Sequence, residues 1–416
     1  IRKIEEVTDR MTEGLEGLPF EEYTAKVNER RGELTEAYRA EYPGKKILVE
    51  SFFGGNQYFL FVMDEYTDIR FVGAPPSSIG KFGGDTDNWM WPRHTGDFSV
   101  FRVYAAADGT TPADYSPENV PYRAPVHLTV SAKGYKDGDF TMIMGFPGTT
   151  TRYMTTYEID EMLDVANPNR ILIRGERQKI LKEDMEASDR VRIQYSDKYA
   201  NSSNYWKNSI GKSKAVRKLG IRDRRQEQEA AFTAWAAKNT LPTEGYSNAL
   251  NLIRESVEEM APYFASSQYL SEAIGRSVEI LVPARLAVSK KGGELTEALK
   301  AFYKDYNMPT DRRVAKRMFR IVGENCMELP SVFAEVIGKR FGGDTDAYVD
   351  YLYDNSVFAD ERKALAAAAA GTDVSNDPAV LLNKSYTAKM RELAAAQLAG
   401  KRKFADGQRL YIAGLM

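Results

Sequence analysis

The sequence predicts an α+β protein in which a β-rich block is followed by a long helical block. Short aromatic and β-branched runs, separated by glycine turns, fill residues 46–150, a pattern typical of antiparallel strands. From residue 154 onwards, apolar residues recur three and four positions apart, which is the period of a helix. A chain of 416 residues with 43% hydrophobic and 28% charged residues is globular and too long for one ordinary core.

The β-rich block contains several runs that we interpret as strands. In each run, apolar residues alternate or follow one another between turn residues. The runs are Ile47–Phe53, Tyr58–Met63, Ile69–Val72, Phe98–Tyr104, Val126–Val130 and Phe140–Met144. Short antiparallel strands of this kind indicate a sandwich or a barrel. Before them, residues 4–42 are predicted to be mostly helical.

The helical block carries clear helix signals. Leu250, Ile253, Val257 and Met260 share one helical face, and residues 358–370 form an alanine-rich run of high helix propensity. The helices share no fixed period, so no repeat architecture is predicted. We therefore divide the chain into residues 1–153 and residues 154–416.

Composition excludes several classes of function. A net charge of -2 provides no general attraction to nucleic acid or to anionic membranes. No apolar run reaches the length of a membrane span. Because the chain begins at Ile1, we expect a processed product or an excised piece of a longer protein. One cysteine and two distant histidines cannot supply a closed zinc site, so we predict no metal.

Nucleotide cofactors are also not predicted. Gly211-Lys212-Ser213 resembles the end of a phosphate-binding loop, but Trp206 stands where that loop needs its first glycine. No G-x-G-x-x-G follows a predicted strand, so the sequence contains no dinucleotide motif.

The segment Asp85–Asp97 is the most informative part of the sequence. It holds two of the four tryptophans, one of the two histidines, three aspartates and an arginine. Burying so many polar groups beside large rings is costly unless each group finds a partner. Residue types alone leave three interpretations open: a peptidase site, a sugar site built from tryptophans and carboxylates, and a purely structural cluster.

One hexapeptide, Phe-Gly-Gly-Asp-Thr-Asp, occurs twice, at residues 82–87 and 341–346. The second copy lacks the Asn-Trp-Met-Trp continuation of the first. We interpret the second copy as a turn that caps a helix.

The segment Ile79–Ser99 is similar to the signature of the bacterial dipeptidyl-peptidase 7 and dipeptidyl-peptidase 11 family. Members are chymotrypsin-like serine exopeptidases whose double β-barrel carries a large inserted helical domain. The resemblance implies that residues 1–153 are a partial chymotrypsin-like peptidase domain, from the central part of the double barrel. It also implies that residues 154–416 are an α-helical cap domain.

The resemblance implies roles for individual residues. Asp97 matches the triad aspartate that orients the catalytic histidine. Asn88 and Trp89 match residues that hold the free amino terminus of the substrate. Asn204 is our candidate for an asparagine contributed by the helical domain, with Asn201 as the second choice. Residue types alone leave a structural alternative open for each of them: a turn residue for Asp97 and for Asn88, core packing for Trp89, and a helix cap for Asn204.

The resemblance also implies that the catalytic centre is incomplete in this chain. The family's base histidine lies before Ile1 and its nucleophilic serine lies after Met416, while His94 and His127 do not match the base. We therefore expect a serine-type dipeptidyl-peptidase that acts through an acyl-enzyme, of which this chain alone is inactive.

Partners and location follow from the resemblance. It implies peptide substrates with a free amino terminus, the missing terminal segments of the same protein, a homodimer, and a periplasmic or cell-surface location, without a cofactor. The preference for hydrophobic or acidic residues at the cleaved bond is not predicted.

Two hypotheses from other classes compete with the peptidase. The first is a carbohydrate-binding or glycoside-cleaving module that uses Trp89 and Trp91 with Asp85 and Asp87. These two carboxylates share a face if the stretch is extended. The second is a structural or partner-binding helical module.

Overall fold

The structure, a computed structural model, describes residues 1–15, 18, 20–145, 151–238 and 245–416. The chain divides into two compact units. The first contains Ile1–Gly84, Pro92–Met154 and Gln408–Met416, and the second contains Asp85–Trp91 and Thr155–Gly407. Asp85–Trp91 therefore belongs with the helical part of the chain, although β-rich sequence flanks it on both sides.

The first unit combines helices with two small sheets. Its elements are β1 (Lys3–Glu6), α1 (Thr8–Thr12), α2 (Phe20–Glu41), β2 (Lys46–Phe52), β3 (Gln57–Met63), β4 (Ile69–Gly73), α3 (Ser77–Gly80), β5 (Val100–Ala105) and β6 (Val120–Pro121). Both sheets are antiparallel, with the strand orders β1-β3-β2 and β4-β5-β6.

The core of the first unit lies between the first sheet and its helices. Every second residue of β3 is buried, so that Tyr58, Leu60 and Val62 share one face. Met11 of α1 and Leu34 of α2 belong to the same buried cluster. Burying each such side chain contributes about 1.5–3 kcal/mol, which holds the helices on the sheet.

The structure corrects three expectations in this unit. The segment predicted to be helical begins at Ile4, but Lys3–Glu6 forms β1 because it pairs with β3. Val126–Val130 and Phe140–Met144 form no strand, and no described strand pairs with them. Apolar alternation produces a strand only where a neighbouring strand accepts its backbone hydrogen bonds. The four other predicted runs overlap β2, β3, β4 and β5, as expected.

A large apolar surface of the first unit is exposed. Phe71 of β4 and Phe101 of β5 are 62% and 56% exposed. Along residues 126–144, Val130, Phe140 and Ile143 are 95%, 88% and 98% exposed. Contiguous patches of such side chains mark surfaces that bind another segment or partner.

The second unit is helical. Its helices are α4 (Thr156–Glu161), α5 (Asn167–Ala187), α6 (Asp189–Lys218), α7 (Ile221–Ala236), α8 (Ala249–Tyr269), α9 (Leu281–Ser289), α10 (Gly292–Lys304), α11 (Met308–Asn325), α12 (Lys339–Phe341), α13 (Thr345–Asn355), α14 (Glu361–Ala370), α15 (Pro378–Ala396) and α16 (Leu398–Leu415). The division between the two units falls within α16. Three π-helical turns also occur, at Met162–Ala166, Leu270–Gly275 and Phe333–Gly338.

Two helices confirm specific sequence predictions. The predicted stripe of apolar residues lies in α8, where Ile253 is fully buried. The alanine-rich run forms α14, which begins after Asp360, whose carboxylate accepts a hydrogen bond from Lys363 N. Apolar spacing therefore locates α8, and helix propensity together with a side-chain cap locates α14.

α6 is held by a buried ionic network. Arg174 of α5 binds Glu272 at 2.8 Å, and Lys198 of α6 binds Glu279 at 2.5 Å. The two glutamates are 8% and 9% exposed, so removing one of their partners would leave a buried charge. The network and the fully buried Tyr195 fix the helix that carries the site described below.

Of the helices in the described part of the chain, none has the length and apolar character that a bilayer span requires.

Candidate functional site

The segment Asp85–Trp91 runs through successive turns. The glycine pair before it has φ of +76° and +52°, a region that favours glycine. A backbone hydrogen bond from Asn88 N to Asp85 O, 3.2 Å long, closes one of the turns. This conformation places the side chains of Asn88 and Trp89 against α6.

Asn204 of α6 joins the two side chains. Trp89 Nε1 donates a hydrogen bond to Asn204 Oδ1 at 2.8 Å, and Asn88 Nδ2 donates to the same oxygen at 3.2 Å. Because an indole nitrogen can only donate, it must face the oxygen of the Asn204 amide and not the nitrogen. The structure thus brings three of the four predicted site residues together.

The structure contradicts two of the structural alternatives, the helix cap at Asn204 and the core tryptophans, while Asn88 does lie in a turn, as its alternative expects. Asn204 lies inside α6 and is therefore not a helix cap. Trp89 and Trp91 are 51% and 92% exposed, so neither is a core residue. Asn201, the second candidate, lies earlier on α6 and is exposed.

Two further residues of α6 bind Asp85. Ser203 Oγ donates to Asp85 Oδ1 at 2.5 Å, and the Ser203 side chain is fully buried. Lys207 Nζ donates to the backbone oxygen of Asp85 and to that of Thr86, the latter at 3.4 Å. The start of the segment is therefore fastened to α6 by a side-chain and by a backbone contact.

Trp89 adopts an unusual backbone conformation. Its φ is +58°. Among the described residues that are not glycine, only Phe53 also has a positive φ. For a residue with a Cβ atom this left-handed conformation costs roughly 1–2 kcal/mol. The Trp89 backbone also passes close to Gly211 of α6, where an added Cβ atom would lie 3.1 Å from Trp89 O.

The arrangement is suited to binding a small cation. It presents an amide oxygen, the face of a half-exposed indole ring and, beside them, the Asp85 carboxylate. Burial raises the pKa of Tyr199 on α6, and the Asp85 carboxylate raises it further, so the phenol stays neutral. An ammonium group has only donors and therefore binds to oxygens and to ring faces.

Asp97 belongs to the first unit. It is exposed and lies in the loop that leads into β5. Two hydrogen bonds fix this loop, from Gly96 N to Ile79 O at 3.1 Å and from Thr95 Oγ1 to Phe82 O at 2.9 Å. Its role as a triad member stays a prediction.

Neither a sugar site nor a metal site finds support. Asp85 and Asp87 lie in turns and not in an extended stretch, so the condition for a shared face is not met. The Asp85 carboxylate is bound to Ser203. Within the described ranges, no group of three or more histidine, cysteine, aspartate and glutamate side chains could hold a metal ion.

Sequence reasoning missed Ser203, Lys207 and Gly211. They are spaced four residues apart and so lie on one face of α6. Their spacing of four residues could have indicated a shared helix face, but the same spacing occurs on most helices and does not indicate a site. Gly211 drew attention only as part of the false phosphate-loop motif, which lies inside α6.

Comparisons with known proteins agree with one another. The profile of the family described as peptidase S46 matches residues 1–416. The chain is 40% identical over 429 residues to the dipeptidyl-peptidase 7 of Porphyromonas gingivalis. It is 36% identical over 445 residues to the Asp/Glu-specific dipeptidyl-peptidase of the same species. Both alignments cover 100% of this chain but only 60% and 61% of the relatives.

A solved structure shows the same relationship. The crystal structure of Porphyromonas endodontalis DPP11 in complex with the dipeptide Arg-Glu matches with a TM-score of 0.84 and 31% sequence identity. The match covers 100% of this chain and 62% of that one. The chain thus spans about three fifths of the length of these similar proteins.

Proposed function

The chain belongs to the peptidase S46 family, and on this premise we propose that it is the middle part of a serine-type dipeptidyl peptidase. The complete protein would release dipeptides from the free amino terminus of peptides, as the names of its relatives suggest. One observation carries this proposal. Asn88, Trp89 and Asn204 come from distant parts of the sequence and meet at a single amide oxygen.

We call these three residues the amino-terminal anchor. In our proposal, the ammonium group of the substrate binds to the Asn204 oxygen and lies against the Trp89 ring. Trp89 Nε1 keeps that oxygen oriented. The ammonium group displaces Asn88 Nδ2, whose hydrogen bond to the oxygen is the longer of the two. An acylated amino terminus lacks the charge and most of the donors, so it binds poorly.

A fixed amino terminus selects the bond that is cleaved. Holding the ammonium group places the second peptide bond at the nucleophile, which is why dipeptides would be released. The serine attacks the carbonyl carbon, and the remaining peptide leaves with a proton from the catalytic histidine. Water then hydrolyses the dipeptidyl ester. We assign to Asp97 the task of orienting that histidine and stabilising its protonated form.

The histidine and the serine would be supplied by parts of the complete protein outside residues 1–416. We accordingly propose residues 1–153 as a partial chymotrypsin-like domain and residues 154–416 as a helical cap domain. The exposed apolar side chains of β4, β5 and residues 126–144 support this proposal, since the strands of a closed barrel cover such a surface. A homodimer in the periplasm or at the cell surface completes the proposal and rests on the family resemblance alone.

The test uses the full-length protein and chromogenic dipeptidyl anilides. We expect dipeptide release, and we expect Asp97→Ala to lower kcat by about 10³–10⁴-fold. Asp137→Ala, which removes another exposed aspartate of the same unit, should have no effect. A full-length protein that releases no dipeptides, or an Asp97→Ala variant of normal activity, would contradict the proposal.

The inactivity of this chain has its own test. The purified 416-residue chain should release no dipeptides from substrates that the full-length protein cleaves. Turnover by the chain alone would show that its own residues complete a catalytic centre.

A further inference from the structure

The left-handed backbone conformation of Trp89 must be maintained by contacts with other residues. A tryptophan with φ of +58° relaxes to negative φ unless its surroundings prevent it. Such a relaxation would rotate the indole ring away from Asn204 and break the 2.8 Å hydrogen bond between them. Other contacts in the structure must therefore hold the segment that carries Trp89.

The contacts that hold it come from one face of α6. We infer that Ser203, Lys207 and Gly211 are positioning residues for the amino-terminal anchor, an inference that rests on the proposed function. We call these three residues the support face. They do not touch the substrate. Ser203 and Lys207 hold the beginning of residues 85–89, and Gly211 leaves room for its end, so that Asn88 and Trp89 reach Asn204.

Ser203 and Lys207 fix the beginning of the segment. The Ser203 hydroxyl is buried and needs a partner, and the Asp85 carboxylate supplies it at 2.5 Å. Lys207 Nζ binds two successive carbonyl oxygens and lies 3.8 Å from Asp85 Oδ2. A cation on two backbone oxygens fixes the course of the chain more firmly than a contact with one mobile side chain would.

Gly211 allows the Trp89 end of the segment to lie close to α6, because it has no side chain. Glycine inside a helix is less stable than alanine, so its presence in α6 calls for a reason. The reason is the close approach of Trp89, whose backbone oxygen would lie 3.1 Å from an alanine Cβ atom at this position. A side chain there would push the Trp89 backbone away from α6.

This arrangement predicts which kinetic constant changes. The segment contacts the amino terminus of the substrate and not the reacting bond. Its displacement should therefore weaken binding and leave the chemical step unchanged.

The experiment compares variants of the full-length protein on a chromogenic dipeptidyl anilide. We expect Lys207→Met and Gly211→Ala each to raise KM by about tenfold and to leave kcat within about twofold. Lys207→Arg should restore most of the affinity. The matched controls are Lys214→Met, at an exposed lysine of the same helix, and Gly293→Ala, at a helical glycine with nothing within 4 Å of an added Cβ atom.

Two further measurements separate positioning from damage to the fold. Because alanine favours the helix, Gly211→Ala should leave the melting temperature unchanged or raise it while KM rises. The released dipeptide should inhibit the wild type more strongly than its N-acetylated form does. The two variants should lose this discrimination, and the controls should keep it.

The outcomes distinguish this inference from the proposed function. If the wild type releases no dipeptides, the proposed function fails. If the wild type is active but both variants keep a normal KM, or lose kcat alone, the positioning role is overturned. The positioning role is also overturned if Gly211→Ala raises KM and lowers the melting temperature. It is overturned as well if the control variants raise KM to the same extent.

Discussion

Residues 82–87 and residues 341–346 have identical sequences but different structures and surroundings. In both copies the two glycines have positive φ, so the chain turns in a similar way at this point. The aspartate that follows then binds differently. Asp344 caps α13, and its carboxylate accepts hydrogen bonds from Asp346 N at 2.9 Å and Ala347 N at 3.0 Å, as the sequence predicts. Asp85 instead binds Ser203, which lies 118 positions away in the sequence.

The residues that follow each copy explain the difference. After the second copy, Tyr348, Val349 and Leu352 recur at helical spacing and are buried in the core, which stabilises α13. After the first copy comes Asn-Trp-Met-Trp-Pro, in which Pro92 is incompatible with a helix interior and Trp91 is exposed. The hexapeptide alone thus does not determine whether a helix follows it. The pattern of apolar residues after the hexapeptide determines this.

The largest effect should come from exchanging a matched pair of aromatic residues for glycine. Trp89, two residues after the first copy, corresponds to Tyr348, two residues after the second; Tyr348 is 2% exposed. Tyr348→Gly should lower the free energy of unfolding by about 4 kcal/mol because it removes a buried ring. Trp89→Gly should change it by less than about 1 kcal/mol, because relief of the positive φ offsets one lost hydrogen bond. Urea unfolding of the full-length protein measures both, and equal losses would contradict the comparison.

The next effect concerns the partner that each copy contacts. Asn204→Ala should lower kcat/KM for dipeptide release by about 100-fold, since it removes the oxygen to which we propose that the ammonium group binds. Its counterpart is Arg320, whose exposed side chain binds Asp346 with a Nε–Oδ1 distance of 2.7 Å. Arg320→Ala should leave kcat/KM unchanged and alter stability by less than about 1 kcal/mol. Similar kinetics for the two variants would mean that Asn204 is not part of a binding site.

A smaller effect is expected at the shared aspartate itself. Asp85→Ala should raise KM by about tenfold with little change in kcat, because the segment that carries the anchor loses its side-chain contact with α6. Asp344→Ala should instead lower the free energy of unfolding by about 1 kcal/mol, as the loss of a helix cap does, with normal KM. Steady-state kinetics gives KM for both variants, and thermal unfolding gives the change in the free energy of unfolding for both. If the two variants behave alike, the two aspartates do not have different tasks.

The smallest effect is electrostatic. The Asp85 carboxylate contributes to the raised pKa of Tyr199, after burial as the larger cause. Asp85→Asn should therefore lower the pKa of Tyr199, so that its phenolate forms at lower pH. Asp344→Asn should leave it unchanged. Ultraviolet difference titration of the variants against the wild type measures the shift, and a raised pKa of Tyr199 in Asp85→Asn would contradict the electrostatic effect assigned to the carboxylate.

Local patterns in the sequence predict part of this fold. They locate α8, α14 and the cap of α13, because propensity, spacing and capping act within a few residues. They fail at β1, which exists because β3 lies beside it, and at residues 126–144, where no described strand provides a partner. Pairing between distant segments is not encoded in the pattern of either segment alone.

The candidate site shows the same limit. Asn88, Trp89 and Asn204 could be named because Ile79–Ser99 resembles a family signature. The support face could not be named, since its contacts join residues more than 100 positions apart in the sequence. The positive φ of Trp89 likewise has no signal in the residue type.

The exposed surface along residues 126–144 also affects how this protein can be handled. Phe140–Met144 is an uncharged run without proline, and its Phe140 and Ile143 side chains are almost fully exposed. Segments of this composition promote intermolecular β-aggregation when nothing covers them. Solubility during expression, more than catalytic competence, will then limit work on the isolated chain. Ile143→Lys, which introduces a single charge into this run, should raise the solubility of the isolated chain.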